Sequence, residues 1–239
     1  IFMNVKANKK IMELPEVEDL FVFPSCGDET VAIGAAYQVY NEMRSTLSDI
    51  PEIEPLQHFY LGNDFTDEEV GQEIEKQNGK FKFTYKKVKD IEKEIAKLLA
   101  DKRVVARCKG RMEFGARALG NRSILADPSY LQCVREINLM VKKRDFWMPF
   151  APVMVEERAK DYIVNPKNIP APYMILSFDT AKKYNDLIAA AHQADLTARP
   201  QVISKKMNPE YYAILKEFEK ITKRGVLLNT SFNLHGYPI

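Results

Sequence analysis

The densest chemical signal in this chain is a run of cations between residues 107 and 128, RCKGRMEFGARALGNRSILADP. Arg107, Lys109, Arg111, Arg117 and Arg122 crowd a span whose only acid before Asp127 is Glu113. Guanidinium forks match the paired oxygens of phosphates and carboxylates. Gly110, Gly115 and Gly120 recur every five residues, and a residue without Cβ leaves main-chain amides bare where something comes close. With Asn121 and Ser123 as neutral donors, the run reads as a phosphate cradle. A solvated basic loop is the plainer alternative, which the interleaved glycines and apolar residues disfavour.

Two shorter clusters fit the same chemistry. In VKKRDFWMPFAPVMVEE, residues 141–157, Lys142, Lys143 and Arg144 precede a Pro-bounded apolar stretch. Cations complementing a helix C-terminus explain them equally well. In NTSFN, residues 229–233, Thr230, Ser231 and Asn233 follow the apolar run VLL. Open α/β sheets place ligands at such strand-to-loop junctions, although a polar turn reads the same. His192, Asp195, Thr197 and Arg199 lie close together in AAHQADLTARPQ. His192 is a candidate for binding phosphate or orienting a substrate, with a purely structural histidine as the alternative. His58 and His235 have no partner at metal-ligand spacing, and no GxxxxGK[ST] loop is present, which excludes an ordinary P-loop enzyme.

The elements that must position these groups follow from periodicity. EDLFVFP (18–24) predicts a short buried strand, and ETVAIGAAYQVYNEM a helix with Val31, Ala35, Val39 and Met43 on one face. Pro51 and Pro55 mark a linker over 46–57. Thr66 and Glu69 form a capping-box pattern opening a helix through about 77. KFKFTYK alternates as a half-buried strand. Helices are expected at 90–101 and 130–141, and from Asn208-Pro209 to near Gly225. Strands are expected at 102–108, 151–155, 173–178, 200–204 and 225–229. The mix is α/β or α+β. At 239 residues the chain suits one large or two smaller domains. Its net charge of +2 supplies no bulk field for nucleic acid or a membrane surface. No apolar run approaches spanning length, and three widely spaced cysteines suit a reducing, cytoplasmic setting. Opening on IFMNV and closing on NTSFNLHGYPI, both ends read as cut, so a fragment is expected.

Together the segments resemble the O-carbamoyltransferases of the nodulation-protein and antibiotic-tailoring type. GRMEFGARALGNRSILADP (110–128) is similar to their GRMEFGPRALGNRSILADP, with Ala116 for Pro. VKKRDFWMPFAP (141–152) resembles IKKRExFRPFAP, with Trp147-Met148 for Phe-Arg, and NTSFNLHGYPI (229–239) resembles NTSFNxxGEPI, with Tyr237 for Glu. HQADLTARPQ (192–201) looks like HxDGTARxQ with one residue inserted. MNVKANKKI and PSCGDETVAIGAA resemble the end of the family's first, actin-like ATPase-type domain.

The resemblance implies residues 1–45 as the end of that domain, 46–57 as linker, and 58–239 as a YrdC-like twisted mixed sheet with helices. It implies an enzyme that makes carbamoyl-adenylate from carbamoyl phosphate and ATP with Mg²⁺, for transfer to a small-molecule or sugar hydroxyl. Lys142, Arg144, Arg117 and His192 would then carry the chemistry. Lys109, Arg111, Asn121, Arg122, Ser123, Arg199, Thr230, Ser231, Asn233 and Asn8 would hold the nucleotide. Asp28 would help hold an iron-type metal whose other ligands lie upstream, in a missing N-terminal domain that acts as partner. An N-cap role explains Asp28 equally. The rival readings are a YrdC-type tRNA-modifying protein and a non-catalytic nucleotide-binding module.

Overall fold

In the computed structural model, which describes residues 1–239, the apolar runs SILA, PVMV and VLL become neighbouring strands of one sheet. The chain forms helices α1 (Val5–Met12), α2 (Val31–Thr46), α3 (Asp67–Gln77) and α4 (Ile91–Ala100), then strands β1 (Val105–Cys108) and β2 (Arg122–Ala126). A short helix α5 (Gln132–Glu136) runs on into a π-helical turn, Ile137–Lys142. There follow β3 (Ala151–Val155), α6 (Ala159–Tyr162), β4 (Phe178–Asp179), β5 (Thr197–Ala198), β6 (Gln201–Ile203), α7 (Pro209–Thr222) and β7 (Val226–Ser231). The main sheet has the order β1-β2-β7-β3-β6, antiparallel throughout except between β3 and β6. The mixed α/β architecture expected from the sequence is the one observed.

Side-chain alternation along the central strands gives the sheet two buried faces. Leu125, Val153, Val155, Ile203 and Leu227 face α4 and α7 through Ile95, Leu99, Tyr211, Leu215 and Phe218. Each fully buried aliphatic side chain there contributes about 1.5–3 kcal/mol, which is what holds the two helices on the sheet. On the other face Ile124, Ala126 and Leu228 meet Cys133, Ile137 and Phe150. Met154 and Val226 join a larger cluster around Tyr162, Phe178 and Leu187. Met12 and Val22 belong to that larger cluster too. Residues expected in a preceding domain therefore pack into the same core, whereas α2 and α3 bury no residue.

The end signals work as the sequence predicts. Asn208 caps α7 by accepting from the Tyr211 amide at 3.1 Å, with Pro209 in the first turn. The Thr66–Glu69 capping box opens α3. Several strands differ. Residues 18–24 and 80–86 form no ladder; alternation marks a strand only where a neighbouring strand is free to pair, and Phe81, Phe83 and Tyr85 stay exposed. At 173–178 the left-handed Met174 (φ 57°) limits pairing to Phe178–Asp179. The strand expected at 102–108 is the edge strand β1. β2, at the heart of the sheet, lies inside the cation-rich run that reads as loop. No helix is long and apolar enough to cross a membrane.

Candidate functional site

Strand β7 ends beside the start of β3, with Asn229 opposite Ala151. At this edge a cavity of about 400 Å³ opens, lined by Arg117, Arg144, Arg199, Lys6, His192, Asn229, Thr230 and Ser231, with Phe150, Met174 and other apolar groups as walls. No aspartate or glutamate lines it. The cations come from four separate stretches: the loop after Gly115, the segment after the π-turn, the approach to β6, and α1. The resemblance named Arg117, Arg144 and Arg199 for the site; Lys6, Met174 and Ser177, which also line the cavity, it did not.

The three arginines stand without counterions. Burial lowers the proton affinity of Arg117 and Arg144, and lowers that of Arg199 further with the help of the neighbouring Arg117 charge. Buried Nε of Arg117 and Nη2 of Arg144 have no hydrogen-bond partner. Arg144 is fixed from behind: its Nε donates to Asn138 Oδ1 at 2.6 Å, and its guanidinium lies 4.9 Å from the Phe150 ring centroid. Desolvated cations with unused donors carry a penalty that an entering anion removes. Forked N–H groups converging on one space suit an anion with several oxygens, such as a phosphate or carboxylate.

His192 reaches the cavity with its other ring nitrogen tied down, Nδ1 standing 2.8 Å from Asp195 Oδ1. Asp195 also accepts from Thr197 Oγ1 at 2.7 Å and pairs with Lys6. Burial alone would raise the Asp195 carboxyl, but these bonds outweigh it and hold the carboxyl well below the usual range. A carboxylate beside Nδ1 fixes that nitrogen as the protonated one.

Lys142 lies behind the lining rather than in it. Only 2% exposed, its ammonium donates to Ser231 O, Ser231 Oγ (3.0 Å) and Asn233 Oδ1 (2.9 Å). Burial, with the nearby Arg144 charge, pushes it down to about 8. Lys142, Ser231 and Asn233 thus form one knot that fixes the loop after β7, with Thr230 at the cavity.

Much of the expected cradle is built differently. Arg122 is buried, its Nη1 donating to the carbonyls of Lys109, Gly110 and Asn121. Arg111 donates to the carbonyls of Leu61 and Gly62, and Lys109 pairs with Glu210 at 2.9 Å. Asn121 uses its side chain on Arg111 O, Arg107 and Asn208. Ser123 Oγ accepts from the Gly120 amide at 3.0 Å. Glu113 Oε1 takes the amides of Leu119, Asn121 and Arg122. The amides around Gly120 are therefore internally bonded, and of the five cations only Arg117 faces the cavity. Gly120, at φ 113°, makes room for the Tyr211 ring rather than for a ligand.

Asn8 is fully buried and ties α1 to the main body, its Nδ2 donating to Phe2 O (2.7 Å) and Ile175 O (2.8 Å). Asp28 is exposed at the start of a short 3₁₀ turn without a side-chain cap bond. Within this chain no group of three or more His, Cys, Asp or Glu residues is placed to hold a metal ion.

A family described as Carbamoyltransferase C-terminus matches residues 96–239. The uncharacterized protein MJ1058 of Methanocaldococcus jannaschii is 39% identical over 240 residues, covering 100% of this chain and 39% of that protein. Nodulation protein NolNO of Sinorhizobium fredii is 36% identical over 238 residues, covering 99% and 34%. Nodulation protein U of Bradyrhizobium diazoefficiens is 32% identical over 235 residues, covering 98% and 38%. The chain spans roughly two-fifths of these relatives, at 39%, 34% and 38% of their lengths. Among solved structures, full-length HypF in its phosphate- and nucleotide-bound form aligns at TM-score 0.46 and 19% identity, over 66% of this chain and 19% of that one.

Proposed function

Because the chain belongs to the carbamoyltransferase C-terminal family, we propose that its arginine-lined cavity binds carbamoyl phosphate and ATP and forms carbamoyl-adenylate. The observation that carries this reading is the convergence of Arg117, Arg144 and Arg199 on one space without any carboxylate. Two polyanions meeting in one pocket need such an excess of fixed positive charge. Carbamoyl phosphate is first hydrolysed to carbamate and phosphate. A carbamate oxygen then attacks the α-phosphate of ATP, a P–O bond forms, and pyrophosphate leaves with the electron pair of the broken bond.

Little of this asks for a covalent nucleophile; positioning and charge stabilisation supply most of the rate. Arg117, Arg144 and Arg199 neutralise phosphate oxygens. His192 Nε2 takes the proton of the attacking water in the hydrolysis and returns it to solvent. Thr230, beside the knotted Ser231, donates to the nucleotide phosphate. Mg²⁺ would enter on the nucleotide's own phosphates, since the lining offers it no carboxylate. Transfer to a hydroxyl acceptor belongs to the longer protein, as does any metal that transfer uses.

Pyrophosphate release with ATP, Mg²⁺ and carbamoyl phosphate, each omitted in turn, tests the reading. Release that needs all three, and that Arg144→Ala abolishes, is expected. Release independent of carbamoyl phosphate, or unchanged in Arg144→Ala, would overturn it.

A further inference from the structure

Asn138 is fully buried at the second position of the π-helical turn, yet its side chain bonds to nothing on its own helix. Oδ1 accepts from Arg144 Nε at 2.6 Å, while Nδ2 donates to the carbonyls of Phe146 and Met148, both at 3.0 Å. Its main-chain carbonyl accepts from the Arg144 amide at 2.9 Å. One amide side chain thus grips both the guanidinium and the segment that leads from it to Pro149.

The π-turn makes this grip possible. One extra residue per turn, followed by Lys143 in the left-handed region (φ 52°), reverses the chain so that residue 144 returns over residue 138. An α-helical continuation would direct residues 142–144 elsewhere. On its far side Arg144 lies over the Phe150 ring and leaves Nη2 buried and unpartnered. A guanidinium held at Nε and stacked on one face keeps its terminal fork free in one orientation.

We propose that Asn138 is the positioning residue for Arg144, fixing the direction of its anion-binding fork by accepting the Nε proton. The proposal rests on the reading that Arg144 binds carbamoyl phosphate, and the test separates the two. Titration calorimetry with carbamoyl phosphate would compare the unaltered chain, Asn138→Ala, Arg144→Ala and the double variant, with thermal melts alongside. Misdirecting a binding group by about an ångström costs on the order of tenfold or more, so Asn138→Ala should raise Kd about that much. The double variant should bind no more weakly than Arg144→Ala, because the group Asn138 acts through is already gone.

Independent, additive losses from the two substitutions overturn the proposal, as does an unchanged Kd in Asn138→Ala. An unchanged Kd in Arg144→Ala sinks the functional reading instead. If Asn138→Ala does not fold, Asn138→Leu decides the matter, since it refills the space, leaves Arg144 intact and removes the Oδ1 acceptor. A loss of about tenfold supports the proposal, and unaltered binding defeats it. A merely structural role for Asn138 would lower the melting temperature without this dependence on Arg144.

Discussion

Glu113 Oε1 accepts the backbone amide of Asn121 at 2.7 Å, and the same oxygen also takes the amides of Leu119 (2.9 Å) and Arg122 (3.1 Å). A single carboxylate therefore closes the loop that presents Arg117 to the cavity. Removing it in Glu113→Ala orphans three main-chain donors, and one unsatisfied buried donor alone costs about 1–3 kcal/mol. Urea unfolding should show a loss at or above the upper end of that range, with weaker carbamoyl phosphate binding. Glu113→Gln keeps a neutral acceptor and should fall between. Wild-type stability in Glu113→Ala would show that the loop is held by something else.

The arginine cluster predicts effects of opposite sign on stability and binding. Arg199 is desolvated beside Arg117 with no carboxylate partner, so its charge opposes folding. Arg199→Met should raise the melting temperature by a few degrees, equivalent to about 1 kcal/mol. It should also weaken carbamoyl phosphate binding by roughly tenfold, the typical effect of losing a charge-assisted bond. Adding carbamoyl phosphate should stabilise the wild-type protein by mass action and the variant much less. A variant that melts lower and binds normally would place Arg199 in the scaffold.

Gly120 and Tyr211 give a purely structural prediction. A Cβ at position 120, where φ is 113°, would overlap the Tyr211 ring, which is itself fully buried against the sheet. The ring cannot move without disturbing the contact of α7 with the sheet. Gly120→Ala should destabilise the fold by about 3 kcal/mol or more, combining backbone strain with overpacking. Tyr211→Leu in the same background should recover part of the loss, which a denaturant double-mutant cycle would read. Gly236, at φ 80° with open space around it, should tolerate alanine at the cost of strain alone.

The parts legible in the sequence are those fixed by near neighbours. The Thr66 capping box, the Asn208-Pro209 helix start and the apolar strands at 151–155 and 226–231 are set by local chemistry. Less legible was anything decided by a partner far along the chain. KFKFTYK alternates yet finds no strand to pair with, and the ILA of β2 hides among cations that look like loop. Charge counts also misplace cations: Arg111 and Arg122 carry the same formal charge as Arg117 in the sequence, but carbonyls 61, 62, 109, 110 and 121 claim their donors. Which arginine remains free depends on where carbonyls and Glu113 fall in space.

Lys142 links pH to both folding and binding, with opposite signs. Burial and the Arg144 charge push its ammonium down to about 8, whereas the unfolded chain keeps the ordinary value of 10.5. Between these values the unfolded state binds more protons than the native one, so this group's contribution to stability rises with pH. Anion binding runs the other way. A bound phosphate favours the protonated amine, so above about pH 8 the complex must take up a proton that the free protein has lost. The carbamoyl phosphate Kd should therefore rise with pH across that window, by at most about tenfold per unit. In Lys142→Met the free protein has no such proton to lose, and the rise should disappear even if the knot with Ser231 and Asn233 loosens. Calorimetry in two buffers of different ionisation enthalpy would report the proton uptake directly. A wild-type Kd that stays flat through this range would mean either that Lys142 remains charged in the free protein or that, from behind the lining, it does not feel the bound anion.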